Sequence, residues 1–134
     1  MPKYFITILV LTVIAVGFVT ALVLNTRIKA NDIKIFNEQF EVFNKNRLTG
    51  ADVSSAINKA INNNKKYEQN KEYLVDINIR IIDYGEETIV DMEKIYSLGI
   101  DNFIKYYGRY EFNCTKVEYN KENGRISTLN FQNN

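Results

Sequence analysis

The sequence predicts an α+β protein, in which an N-terminal membrane helix precedes a small domain of helices and a mainly antiparallel sheet of about four strands. Three observations support this fold class. The chain begins with a long uncharged apolar run, the next segments carry apolar residues at helical spacing, and a strict alternation of apolar and polar residues follows. The 134 residues leave room for one domain besides the anchor. We therefore expect a membrane anchor and flank over residues 1–30 and an α+β soluble domain over residues 31–134.

The anchor is predicted from residues 4–24, which read YFITILVLTVIAVGFVTALVL and contain no charge, Asn, Gln or Pro. About 21 residues at ~1.5 Å each span about 31 Å as a helix, the thickness of a bilayer core. We expect contact with the membrane through this segment. A cleaved signal peptide is the alternative, because the small residues of Val19-Thr20-Ala21 suit signal peptidase, although such apolar regions are normally shorter.

The charges around the anchor give conflicting indications of its direction. Lys3 precedes the apolar run, whereas Arg27, Lys29 and Lys34 follow it, and this count would keep the C-terminal domain in the cytoplasm. A very short head followed directly by an apolar run is instead typical of an uncleaved signal anchor, which sends the C-terminus outward. We expect a single-pass protein of the cell membrane with an extracytoplasmic domain.

Two helices are predicted after the anchor. Ile33, Phe36, Phe40 and Phe43 repeat at spacings of three, four and three, so the membrane helix should continue as an amphipathic stalk that ends near Asn44. These phenylalanines either pack on the protein's own sheet or face a coiled-coil partner or the membrane surface.

The second helix should begin at Thr49, with Asp52 completing a capping box. It should stop within Asn62-Asn63-Asn64, because asparagine tolerates the left-handed conformations found at helix ends.

The rest of the domain carries strand and turn signals. Residues 73–82 alternate with period two, which predicts a strand with one buried face. Gly99 interrupts an ambiguous segment that we expect to be a loop with a short helical turn. Asn123-Gly124 is a strong hairpin signal. The expected elements are strands at 73–82, 88–92, 110–119 (bulged near Thr115) and 125–131, a turn at 83–86, the loop at 93–108 and a frayed end after 131.

The composition excludes several kinds of chemistry. The chain has no histidine and one cysteine, Cys114, so an internal disulfide, a Cys/His zinc site and histidine-based catalytic triads are ruled out. Net charge is +1, which gives no electrostatic reason to expect nucleic-acid binding. Cys114 lies in an apolar-facing run and should be a buried small hydrophobe.

Carboxylates cluster around the predicted turn at 83–86. The spacing of Asp83, Glu86, Glu87 and Asp91 does not match a calcium-binding loop, and turn carboxylates are usually solvated. We therefore expect no metal, no cofactor, no catalytic residue and no enzymatic activity.

The remaining candidates are aromatic. Tyr106, Tyr107 and Tyr110 surround Gly108 and Arg109, and tyrosine with arginine is common at protein interfaces. Tyrosine also packs in the cores of small β domains, with its hydroxyl at the surface. The candidate interaction residues are Phe36, Phe40, Phe43, Tyr106, Tyr107 and Tyr110.

A wider pattern covers most of the soluble part. It consists of Phe36-Asn37, Phe40-Glu41, Thr49-Gly50, Val53, Ile57, Ile61, Asn63-Asn64, Tyr119, Gly124 and Ile126. This pattern resembles one found in small single-pass membrane proteins of Gram-positive bacteria. The resemblance implies no catalytic residues.

The layout also resembles type IV pilin-like subunits, in which a membrane helix runs into a stalk, a helix and an antiparallel sheet. Those proteins carry a basic leader ending in Gly and a Glu at the fifth mature position. This sequence departs from that pattern because it has no acidic residue before Asp32.

Two functional hypotheses follow. The first is a membrane-anchored, non-enzymatic interaction or assembly subunit of the cell envelope, which binds a protein partner or associates with itself. The alternative is a membrane-tethered sensory or ligand-binding module.

Overall fold

The structure, a computed structural model, describes residues 3–134, apart from the side chains of residues 3, 25, 26 and 28. It divides into two units, residues 1–35 and residues 36–134. The boundary expected from sequence, between residues 30 and 31, lies inside the first helix. The elements are α1 (Lys3–Glu41), α2 (Gly50–Lys66), a 3-10 turn (Lys71–Tyr73), β1 (Asp76–Asp83), β2 (Glu86–Val90), α3 (Met92–Leu98), α4 (Ile100–Tyr107), β3 (Phe112–Tyr119) and β4 (Ile126–Asn133).

Within the N-terminal unit, the helical run from Tyr4 to Leu24 carries no charge on any side. Every side chain from Tyr4 to Leu24 is exposed. The hydroxyls of Thr12 and Thr20 donate to the carbonyls of Ile8 and Val16, at 2.8 and 2.9 Å, so two of the polar groups in this run are satisfied within the helix. The most apolar window of α1 has a mean hydropathy of 2.8, and α1 is the one helix among the described residues that is long and apolar enough to cross a membrane. A signal sequence would meet the same criteria.

The sheet of the C-terminal unit has the strand order β2-β1-β4-β3. Its outer pairs, β1 with β2 and β3 with β4, are antiparallel hairpins. The central pair, β1 with β4, is parallel, which the sequence did not predict. The α+β class and the mainly antiparallel sheet of four strands are confirmed, and the bulge near Thr115 is present between Cys114 and Lys116.

The core lies on one face of this sheet. Along β1, Ile77, Ile79 and Ile81 are buried, whereas Asn78 and Arg80 on the other face are exposed, as strand alternation requires. Helices α2, α3 and α4 supply buried side chains to the same core. The sheet is therefore covered on one side, and its second face is open within residues 36–134.

Three asparagines fix the ends of the central strands with paired side-chain hydrogen bonds to the backbone. Asn64 bonds both the N–H and the C=O of Val75, each at 2.8 Å. Asn133 does the same for Ile82. An asparagine amide has one acceptor and one donor side, so it replaces one residue of a neighbouring strand.

Asn37 makes the third clamp at the start of β4. It donates to the carbonyl of Gly124 and accepts the N–H of Ile126. These contacts connect the C-terminal residues of α1, from Phe36 onward, to the β3–β4 hairpin inside the same unit.

Several sequence-based boundaries were wrong for identifiable reasons. The capping box of α2 is present at Thr49 and Asp52, but the helix continues to Lys66 because Asn63 and Asn64 bond the chain at residues 73–75 instead of ending it. The expected loop at 93–108 is two helices, α3 and α4, separated by Gly99 at φ 79°. The C-terminus is not frayed after residue 131, because Asn133 is held in β4.

Candidate interaction site

The phenylalanine stripe packs inside the C-terminal unit. Phe36, Phe40 and Phe43 have relative exposures of 9%, 1% and 7%, and all three belong to the core cluster. The ring of Phe36 also stacks under the Arg125 guanidinium, 3.9 Å away. Of the alternatives open from sequence, packing on the protein's own core is the one observed, and less than a tenth of each side chain is exposed.

The tyrosine cluster lies beside the β1–β2 hairpin, at the C-terminal end of α4. A groove of about 490 Å³ runs between them, and it brings Tyr106, Tyr107 and Tyr110 together. Tyr107 packs against Phe103 and is half-buried, whereas Tyr106 keeps 51% of its surface exposed. The groove is lined by Ile81, Asp83, Tyr84, Glu86, Thr88, Tyr106, Tyr107, Arg109 and Tyr110.

A polar network closes one side of the groove. The Tyr110 hydroxyl donates a very short hydrogen bond to Asp83 Oδ2, and Arg109 Nη2 donates to the same hydroxyl at 2.9 Å. The Arg109 guanidinium also lies 3.6 Å from the Asp83 carboxylate and 4.6 Å from the centre of the Tyr110 ring. This network ties the segment after α4 to the end of β1.

The Asp83 carboxylate changes the titration of its neighbour. Its hydrogen bond, and then burial, raise the pKa of Tyr110 above the ordinary value, against the opposing effect of the Arg109 charge. Tyr110 therefore remains a neutral hydroxyl that can donate a hydrogen bond throughout the physiological range.

Tyr84 forms the most exposed part of this surface. It occupies the tip of the two-residue turn between β1 and β2, with φ 52°, and its side chain is fully exposed. Left-handed backbone is uncommon for residues other than glycine and is favoured mainly by Asn and Asp in such turns. A tyrosine here carries a conformational cost and buries nothing in its own domain.

The sequence pattern indicated the three tyrosines of the α4 end together with Arg109, but it did not indicate Asp83 and Tyr84 as their partners. Asp83 and Tyr84 were assigned to a turn, because no short-range pattern shows that a hairpin will meet a helix end more than 20 residues later. One signal was available: an aromatic residue at a turn tip, where Asn or Asp would fit the backbone better.

The other polar candidates make no convergent site. Among the described residues, no group of three or more His, Cys, Asp or Glu side chains could hold a metal ion. Cys114 is buried, and burial raises the pKa of its thiol, which disfavours the reactive thiolate.

Comparisons of the chain with protein-family models, curated proteins and solved structures found no match. Function must therefore be inferred from the side chains and their arrangement.

Proposed function

We propose that this protein is a membrane-anchored, non-enzymatic interaction or assembly subunit of a bacterial cell envelope. Its apolar helix holds it in the membrane. Its C-terminal unit binds a protein partner through the tyrosine groove, defined here as the surface formed by Tyr84, Tyr106, Tyr107, Tyr110 and Arg109.

Tyr84 is the observation that carries this proposal. Its left-handed backbone and its fully exposed ring bring no stabilising contact to the folded domain. Unfavourable local features that persist without structural benefit are concentrated at functional sites. A partner that covers the ring would provide the missing contact.

The composition of the groove supports a protein partner. Tyrosine and arginine are enriched among the residues that dominate binding energy, because they combine a large contact area with a hydrogen-bonding group. Asp83 already orients the hydroxyl of Tyr110 and the guanidinium of Arg109. A pre-organised surface loses less conformational entropy on binding.

We place the C-terminal unit on the outer side of the membrane, following the signal-anchor interpretation of the N-terminus. A cysteine introduced at Asn134, in a Cys114→Ala background, should react with an impermeant thiol reagent in intact cells. Labelling only after the cells are lysed would put the domain in the cytoplasm.

The binding proposal is tested by affinity capture of the full-length protein from cross-linked membranes, followed by mass spectrometry. We expect one stoichiometric protein partner, which is lost from Tyr84→Ala. Because Tyr84 packs on nothing, this substitution should leave the fold intact.

The control is Tyr96→Ala, which removes another exposed tyrosine (55%) from helix α3, outside the groove. The proposal requires Tyr96→Ala to retain the partner. No stoichiometric partner for the unaltered protein, or equal loss in both variants, would refute it.

A ligand-binding module is the second candidate, because Asp83, Arg109 and Tyr110 bring convergent polar groups to one side of the groove. In that case a metabolite extract should protect the groove tyrosines from iodination, and capture should recover no protein. A ligand held in the groove should lose affinity when Arg109 is removed. If the extract protects the tyrosines of the Arg109→Ala variant as well as those of the unaltered protein, the result would count against this candidate.

A further inference from the structure

The two edges of the sheet differ in how they are protected. The β3 edge is interrupted by the bulge at Thr115, and its first residues are covered by the segment before α2. There Leu48 and Phe112 exchange two backbone hydrogen bonds of 2.8 Å, and Cys114 donates to the carbonyl of Lys45. Bulges and covering segments are two of the usual protections of an edge strand against pairing with another chain.

The β2 edge has neither device. Within residues 36–134, β2 has β1 as its one neighbour, and no other segment bonds its outer backbone groups. The turn that precedes it has positive φ at Tyr84 (52°) and Gly85 (80°), as in a type I′ hairpin. Its closing pair, Asp83 with Glu86, is therefore hydrogen-bonded, and every second pair after it is too.

This pattern determines which groups face outward. The backbone groups of Glu86, Thr88 and Val90 point toward β1. Those of Glu87 and Ile89 point away from the sheet and are free to bond another strand. The side chain of Ile89 is also 51% exposed on the open face of the sheet.

We propose that β2 pairs antiparallel with β2 of a second copy of this chain, about a two-fold axis at Thr88. This register sets Glu87 opposite Ile89 of the second copy, and Ile89 opposite Glu87 of the second copy. Each of these two pairs exchanges two backbone N–H to C=O hydrogen bonds, which makes four in all. Thr88 faces Thr88 in the non-hydrogen-bonded pair between them.

Backbone hydrogen bonds select this register over its neighbours. The Thr88 axis forms four hydrogen bonds within β2, whereas an axis at Glu87 or at Ile89 forms two, because the next outward pair falls on Gly85 or Asp91, outside the strand. An axis at Glu87 would also set two Glu87 carboxylates face to face, and like charges directly opposite each other destabilise a strand pair. Each Glu87 carboxylate is paired with Arg80 of β1 at 2.8 Å, so charge is the smaller of the two effects. An axis between two residues would set outward-facing groups opposite inward-facing ones.

The membrane anchor makes this short interface sufficient. Five residues a side is a small contact, but copies held in one bilayer meet at a high effective concentration. The pairing rests on the anchoring proposed above only because the anchor supplies this effective concentration. It does not depend on the tyrosine groove or on any other partner.

The pairing is tested by disulfide trapping of the full-length protein in membranes. In the Cys114→Ala background, Thr88→Cys sets two thiols on the two-fold axis. Non-hydrogen-bonded pairs have Cα atoms about 4.5 Å apart, within the range of a disulfide. Mild oxidation should shift most of this variant to a dimer on a non-reducing gel. Thr115→Cys, an exposed position on the β3 edge, should remain monomeric.

A second variant separates edge pairing from random collision. Ile89→Pro removes an outward N–H while leaving the bonds between β1 and β2 in place, since proline is tolerated at the solvent side of an edge strand. Added to Thr88→Cys, it should abolish the dimer. Cross-linking of Thr88→Cys no greater than that of Thr115→Cys, or unchanged by Ile89→Pro, would overturn the pairing.

Capture of a partner that depends on Tyr84 is scored separately, in protein with Thr88 unaltered, because the Thr88 side chain lines the groove. A missing dimer with normal capture would remove the pairing alone. A dimer without capture would remove the binding proposal alone.

Discussion

Replacing Asn64 by alanine tests whether the asparagine clamps hold the central strands in place. Asn64 lies near the end of α2 and bonds the N–H and C=O of Val75, which has no exposed surface. In the Asn64→Ala variant both backbone groups would be buried without a partner.

The magnitude follows from these two bonds. A buried polar group left without a partner costs about 1–3 kcal/mol, so two cost about 2–6 kcal/mol. The higher helix propensity of alanine compared with asparagine offsets about 0.6 kcal/mol of this loss in the free energy of unfolding. Water can reach part of the space left by the shortened side chain and bond the N–H or C=O of Val75. We therefore expect a loss of about 2–4 kcal/mol in the free energy of unfolding. That is a large fraction of the ~5–15 kcal/mol typical of a folded domain.

The assay is urea unfolding of the full-length protein in detergent, followed by near-ultraviolet circular dichroism of its nine tyrosines. Asn62→Ala is the matched control, since Asn62 is exposed on the same helix and no hydrogen bond of its side chain is observed. It should be neutral or slightly stabilising. Amide exchange at Val75 should accelerate in Asn64→Ala only. Equal stability of the two variants would refute the reasoning.

Two further predictions concern stability. Because the folded state raises the pKa of Tyr110, stability from its neutral hydroxyl should be complete below about pH 10 and should decline as the pH rises further. Tyr110→Phe, which cannot ionise or bond Asp83, should show a shallower alkaline decline in melting temperature, and a parallel decline would contradict this. Gly50→Ala should lower the free energy of unfolding by about 1–3 kcal/mol, because the added Cβ would lie 2.6 Å from Gly108 Cα, against backbone that cannot move aside. Stability equal to that of the unaltered protein in the same urea assay would show that the two segments separate without cost.

Local signals accounted for the parts of the fold that depend on neighbouring residues. The capping box at Thr49 and the turn at Asn123-Gly124 were predictable because each involves groups within about four residues of one another. The alternation along β1 was predictable because it follows from the pleat of a single strand. The two helices around Gly99 were missed, because a short helix on each side of a glycine gives too few turns to show a period.

The candidate site was predicted only in part. The sequence indicated the tyrosine cluster because its members, Tyr106, Tyr107 and Tyr110, lie within five residues of one another. Their partner Asp83 could not be found in this way, since it reaches them through the packing of α4 beside the β1–β2 hairpin.

The sequence by itself determined that the chain has an apolar helix long enough to cross a membrane, an α+β fold class and no histidine. Those properties are set by residue type and short-range periodicity. The tertiary structure alone decided that Phe36, Phe40 and Phe43 lie in the core, that β1 and β4 pair in parallel, and that Asn37 and Asn133 bond strand ends 89 and 51 residues away. The physical reason is that each of these outcomes depends on which segments are brought together across 40 or more residues, where hydrophobic burial and backbone hydrogen bonding choose among pairings that look alike in sequence.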